Sequence, residues 1–231
     1  AATGVEIIVD EDENFVRDGN DIYVEVPLSV ADAVLGCKID VPTVYGDVEL
    51  NIPESGNGVP DILNECRYEL ELILKMQTSD GGVYHKCTSM THTGFLMPED
   101  DPLPFITTPV SSIATADFAA TCALAYGVYS DFDKDFADRL KAAAFKAAKW
   151  LEVHPILVFD EPKDCTTGGY GDLCDLDERL WAETELYLID KDVKRINRIN
   201  IYLDMNLNFT SLGWMDVGGF AALCVLSLCY V

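Results

Sequence analysis

The sequence has no run of eighteen or more apolar residues, no C-x-x-C pair and few basic side chains, and each shortage closes off a class of function. A membrane-crossing helix needs about twenty consecutive apolar residues, and the oily stretch over 220–231 is too short, so no membrane partner is expected. Sixteen Lys and Arg stand against forty Asp and Glu, for a net charge of −24, and residues 1–52 alone hold twelve acidic and two basic groups. A phosphate backbone would be repelled, which excludes nucleic acid as a partner. Cys37, Cys66, Cys87, Cys122, Cys165, Cys174, Cys224 and Cys229 are scattered, so neither a zinc ribbon nor a thioredoxin motif is present. Cys66, Cys122 and Cys224 lie in apolar helical patterns and are expected as buried free thiols. A phosphate-cradling glycine loop and a nucleophilic serine elbow are also missing. Ala1-Ala-Thr-Gly4 shows no basic flank or apolar run of a signal peptide.

What is present is a core-forming composition, 49% hydrophobic, with a change of period near Asn51, Ile52 and Pro53. Upstream, Asp21-Ile-Tyr-Val-Glu-Val-Pro27 and Lys38-Ile-Asp-Val-Pro42 alternate with period two, as half-buried strands do. A turn at Asp18-Gly-Asn20, a short helix ended by Gly36 and a hairpin over Tyr45-Gly-Asp47 complete the pattern. Downstream the period becomes helical. Ile62, Cys66, Leu70 and Ile73, with Leu63 and Met76 alongside, predict one apolar stripe on a helix over 60–77, stopped by Asp80-Gly-Gly82. A second helix capped by Ser112 or Thr115 should reach about Tyr129. A third over about 135–153 should bury Phe136, Leu140, Ala144, Ala147 and Leu151, and a fourth should run from Asp175 to Ile189. The closing segment around 220–230 is apolar on every face and needs neighbours to cover it.

Two family resemblances follow. Asn14-Phe-Val-Arg-Asp-Gly-Asn-Asp-Ile-Tyr-Val-Glu-Val-Pro-Leu-Ser29, with Ile39-Asp-Val-Pro-Thr-Val-Tyr-Gly-Asp-Val-Glu-Leu50, makes residues 5–50 resemble the C-terminal β-domain of DnaJ-type cochaperones. That resemblance implies an unfolded polypeptide as partner and a cytoplasmic location. It does not extend to stimulating a chaperone ATPase, because no His-Pro-Asp signature or cysteine-rich repeat is present. From residue 52 on, Pro53-Glu-Ser-Gly-Asn-Gly58, Asp80-Gly-Gly-Val-Tyr-His-Lys86, Met97-Pro-Glu-Asp-Asp101, Ala114-Thr-Ala-Asp-Phe-Ala-Ala120, Asp177-Glu-Arg179 and Glu185-Leu-Tyr187 resemble the catalytic domain of family nine glycoside hydrolases, the inverting endoglucanases and cellobiohydrolases. The strings at 193–209 depart from it.

Added to the first, the second resemblance implies an α+β chain, with a small β-rich segment over 1–51 followed by a mainly α, partial α/α toroid of the six-hairpin glycosidase type over 52–231. It implies a β-glucan oligosaccharide as partner and an extracellular location. Tyr84, His85, Lys86 and Tyr170 match strings near the family's cleft, where aromatic faces stack on sugar rings and cationic or imidazole donors meet hydroxyls. The same residues also read as a loop whose tyrosine packs and whose lysine is solvated. Asp177 and Glu178 match carboxylates that hold a structural calcium in some relatives, and Asp216 could complete the set; the alternative is an acid-rich first turn favoured by the helix dipole. His85, Cys87 and His92 do not have the spacing of a closed zinc site. Inverting hydrolysis needs a carboxylate base and a protonated carboxyl acid. The strings that supply both in the family are not among these residues, and the expectation is a cellulase-like domain with little or no turnover, a noncatalytic glucan binder, or a binder of unfolded chains.

Overall fold

The computed structural model describes residues 15–19, 21–27, 36–52 and 59–228. The chain divides into two compact units, Ala1–Cys66 and Arg67–Val231. The predicted short helix before Gly36 and the Pro53-Glu-Ser-Gly-Asn-Gly58 string lie outside the described residues.

Among the described residues, the first unit contains two antiparallel hairpins. β1 (Val16–Asp18) pairs with β2 (Asp21–Tyr23), turning at Gly19 with φ 61°. β3 (Cys37–Val41) pairs with β4 (Val48–Ile52), from Cys37 opposite Ile52 to Val41 opposite Val48. Thr43 and Gly46 exchange backbone hydrogen bonds of 3.1 and 3.0 Å in the turn between them. Cys37, Ile39 and Val41 are half-buried and alternate with exposed Lys38 and Asp40, so the period-two reading holds for β3. On β4, Val48 and Leu50 are exposed.

Helix α1 (Asp61–Lys75) continues into the second unit. Its inward face departs from the predicted stripe: Leu63 and Leu70 are buried while Ile62 and Cys66 are exposed. Arg67 lies on the inward side, donating to the Asp133 carboxylate with its guanidinium over the Phe136 ring, and this rotates Cys66 outward. α1 ends at Lys75, and in the turn that follows Gly81 adopts φ 115°, where a Cβ would meet the Lys146 carbonyl oxygen at 2.6 Å, so glycine is required there.

Two short ribbons follow, β5 (Val83–Tyr84) with β8 (Val110–Ser111) and β6 (Cys87–Thr88) with β7 (Ile106–Thr107). Five helices complete the second unit: α2 (Ser112–Tyr129), α3 (Lys134–Val153), α4 (Leu176–Asp190), α5 (Val193–Leu203) and α6 (Gly218–Leu228). α2 is capped by Ser111, whose Oγ accepts from Ala114 N at 3.1 Å. The predicted caps are otherwise engaged: Ser112 exchanges hydrogen bonds with Leu157, and Thr115 donates back to the Ser111 carbonyl oxygen. α3 buries Phe136, Leu140, Ala144, Ala147 and Leu151 as expected.

The packing order explains the composition. α2 packs on α3 and α4, and α4 packs on α5 and α6. Alternate helices therefore form an inner row, α2, α4 and α6, flanked by the amphipathic α3 and α5. α2 is covered from two sides, by α3 and α4, which is why it is apolar around its circumference, whereas the equally apolar α6 packs on α4 and leaves Phe220, Leu223 and Leu226 exposed. This is a partial α/α toroid.

Candidate functional site

The β5–β8 ribbon sets residues 83–86 against the first turn of α2. His85 is held on three sides. Its Nδ1 lies 2.8 Å from Ser111 Oγ, its Nε2 lies 2.9 Å from the Tyr170 carbonyl oxygen, and its ring stacks on Phe159 with centroids 3.9 Å apart. A carbonyl oxygen only accepts, so Nε2 carries the proton and Nδ1 receives the Ser111 hydroxyl. Burial, together with the adjacent Lys86 charge, lowers the His85 pKa and keeps the ring neutral.

Lys86 is turned inward, its side chain 11% exposed. Its ammonium donates to Glu161 Oε1 at 2.8 Å and to the Gly168 carbonyl oxygen at 2.6 Å, with the Thr167 carbonyl oxygen at 3.3 Å. Burial works against the Glu161 charge, but the Cys165 thiol and the Lys86 ammonium hold its carboxyl below the usual range. Lys86 and His85 together pin the 159–170 segment at both ends of its approach to Tyr170.

Tyr170 is presented outward from that anchored backbone. It has φ 51°, is 61% exposed, and meets Trp214 edge to face at 5.6 Å between centroids. Trp214 is equally exposed and stands on a tight turn closed by reciprocal Gly213 and Asp216 backbone bonds. Tyr84 has a different setting: half-buried, it lines a cavity of ≈ 260 Å³ with Ile73, Met76, Asp117 and Phe118. Of the four predicted sugar-site residues, the structure thus brings His85, Lys86 and Tyr170 into one network and turns only Tyr170 fully to water.

Below that cavity, α2 and α4 bury acids of the same sign. Glu178 has no exposed surface, and neither of its carboxyl oxygens meets a hydrogen-bond partner. Burial, with Asp117 and Asp177 nearby, pushes its pKa up to about 10. Asp117 has one oxygen sealed without a partner, and burial aided by Asp177 and Asp172 pushes it up to about 7. Asp177 Oδ2 accepts from Val217 N at 2.8 Å, while Asp216 Oδ2 accepts from Asn208 Nδ2 at 2.7 Å. An unneutralised carboxyl such as Glu178 fits a hard cation in charge and donor type. Among the described residues, however, no three acidic, histidine or cysteine side chains converge closely enough to hold a metal.

Sequence reading did not single out Phe159, Glu161 or Asp117 for these roles. Asp117 carried a signal, an acid inside the otherwise apolar Ala114-Thr-Ala-Asp-Phe-Ala-Ala120 turn. The contacts of Phe159 and Glu161 depend on residues more than seventy positions upstream and left no local signature. None of the seven described cysteines forms a disulfide; Cys122 and Cys224 are buried, whereas Cys66 is exposed, contrary to expectation.

The sequence model of glycosyl hydrolase family 9 matches residues 22–230. A cellodextrinase of Butyrivibrio fibrisolvens is 39% identical over 209 residues, which cover 84% of this chain and 37% of that protein. The crystal structure of a single-mutant thermostable endoglucanase from Alicyclobacillus acidocaldarius superposes with a TM-score of 0.71 at 35% identity, covering 75% of this chain and 33% of that one. The DnaJ chaperone protein of Erysipelothrix rhusiopathiae matches a shorter segment, 57% identical over 49 residues, 21% of this chain and 13% of that protein. The chain therefore spans about a third of the length of these hydrolase relatives.

Proposed function

This chain belongs to glycosyl hydrolase family 9 and carries a cellulase-like domain, and from that premise we propose that it forms a β-1,4-glucan-binding wall that does not itself cleave glucan. The observation that carries the reading is the exposed Tyr170–Trp214 pair, standing on a backbone fixed by His85 and Lys86. Aromatic faces pack on the apolar faces of pyranose rings, and a fixed backbone spares the ordering cost of binding. His85 and Lys86 act here as positioning residues, and Tyr84 supports them from the cavity side.

The acids argue against turnover by these residues. An inverting pair flanks the scissile bond at roughly 6.5–9.5 Å with a water between. Glu178 is fully buried and Asp117 opens only onto a mainly apolar cavity, so neither has access to such a bond. Retardation of the chain in a gel containing soluble β-glucan, lost in Tyr170→Ala, tests the binding reading; equal mobility with and without glucan would sink it.

Asp177, Glu178 and Asp216, expected as a calcium clip, do not converge on one another; Asp177 and Asp216 accept from Val217 N and Asn208 Nδ2 instead, and the unpartnered Glu178 carboxyl is left to hold a proton. We further propose a functional seam at residue 52, with 1–51 as a separate cochaperone-like segment, although the family model begins matching at residue 22. Its exposed Val16, Ile22, Tyr45, Val48 and Leu50 support a second reading, capture of unfolded polypeptide. Unchanged aggregation of a denatured test protein in the presence of the chain would exclude it.

A further inference from the structure

The cavity of ≈ 260 Å³ beside Tyr84 has neither Tyr170 nor Trp214 in its lining. Its walls are mainly apolar: Ile73 lies on α1, Met76 directly after it, Val83 on β5 and Phe118 on α2. An apolar void of about 150 Å³ already holds a benzene ring, so this one has room for a ring with a short polar arm.

One charged group interrupts those walls. Asp117 has a carboxyl oxygen sealed from water with no hydrogen-bond partner, and the groups that act on its charge, Asp177 and Asp172, have the same sign. His85 also borders the cavity, but its nitrogens are engaged by Ser111 and the Tyr170 carbonyl oxygen, and the ring stays neutral. Among the described residues, no lysine or arginine stands in the lining, and the neighbouring Lys86 is tied to Glu161 and Gly168. The cavity thus has a negative pole and no positive one.

That inventory selects a ligand. A carboxylate or phosphate would be repelled, and an apolar ring alone would leave the Asp117 oxygen without a donor. A metal ion lacks ligands, since no three acidic, histidine or cysteine side chains converge among the described residues. An organic ammonium meets every condition: its N–H groups supply the missing donor and charge, and its hydrocarbon body covers the walls, where the Tyr84 and Phe118 rings also favour a cation. We propose that this cavity binds a small primary ammonium with an apolar body, its N–H groups donating to Asp117. The site goes beyond the glucan-binding reading and uses neither of the rings that carry it.

The test is calorimetric titration at pH 8 of the 231-residue chain with benzylamine, benzyl alcohol and benzoate, for wild type and Asp117→Asn. At that pH the Asp117 carboxyl, pushed up to about 7, and the amine both carry their charges. Asparagine keeps the shape of the side chain and removes the charge, and circular dichroism verifies the fold. Wild type should bind benzylamine at least about tenfold more tightly than benzyl alcohol and should not bind benzoate, and Asp117→Asn should lose about tenfold for benzylamine. Equal affinities of the wild type for amine and alcohol, or binding of benzoate, overturn the proposal without any variant. So does an Asp117→Asn chain that holds benzylamine as tightly as wild type, or a wild type that does not bind it. The glucan reading stands or falls separately, on cellohexaose.

Discussion

The chain buries charge in two neighbouring places and treats it in opposite ways. At Lys86 the ammonium meets the Glu161 carboxylate and backbone carbonyl oxygens, so a strand and a distant loop are fastened by opposite charge. Between α2 and α4, Asp117, Asp177 and Glu178 are gathered with no cation among them, and protonation relieves the repulsion. The first arrangement positions something else, namely Tyr170. The second has no opposite charge to settle it and is sensitive to protons.

The sharpest way to break this comparison is to remove one member of each site. Lys86→Met leaves Glu161 without its partner and frees the 159–170 segment; a loss of about 3 kcal/mol is expected by chemical denaturation. Glu178→Gln removes an acid that is unpaired when ionised, and stability at pH 8 should rise rather than fall. Equal destabilisation by both variants would erase the distinction.

The next effect is on pH dependence. Glu178 has a folded pKa raised far above the ordinary carboxylate value of about 4.3, so the folded state holds a proton that the unfolded state has released. Its favourable contribution is present below about pH 4 and is lost as pH rises toward the folded pKa of about 10, with a slope of up to about 1.4 kcal/mol per pH unit. Thermal melts from pH 5 to 9 should therefore show falling stability, and Glu178→Gln should flatten the slope. A slope identical in both proteins would remove Glu178 as its source.

The smallest effect is expected from calcium. With no three acids converging on one point among the described residues, millimolar Ca²⁺ should leave the melting temperature at pH 8 unchanged. A rise in wild type that is lost in Glu178→Gln would overturn this.

The helical body was largely legible in the sequence because its signals are local. The α3 stripe, the Gly81 turn after α1 and the extent of α2 follow from periodicity and punctuation. Helix α5 was not legible, since its inward positions include Arg195, which donates to Glu183 and Asp190 on α4 rather than packing as an apolar residue. The α1 face was misjudged for a similar reason, as Arg67 takes an inward position through its contacts with Asp133 and Phe136. At the site, Tyr170 could be found by resemblance. That His85 and Lys86 face the protein could not, because their partners lie on a loop seventy-five or more residues further along the chain.

The central claim, a glucan-binding wall that does not cleave, is tested most directly by titrating the chain with cellohexaose and assaying new reducing ends in the same sample. Saturable heat without reducing ends, with affinity lowered at least about fivefold in Tyr170→Ala, is the predicted result. Accumulating reducing ends, or a Tyr170→Ala chain that binds as tightly as wild type, would contradict it.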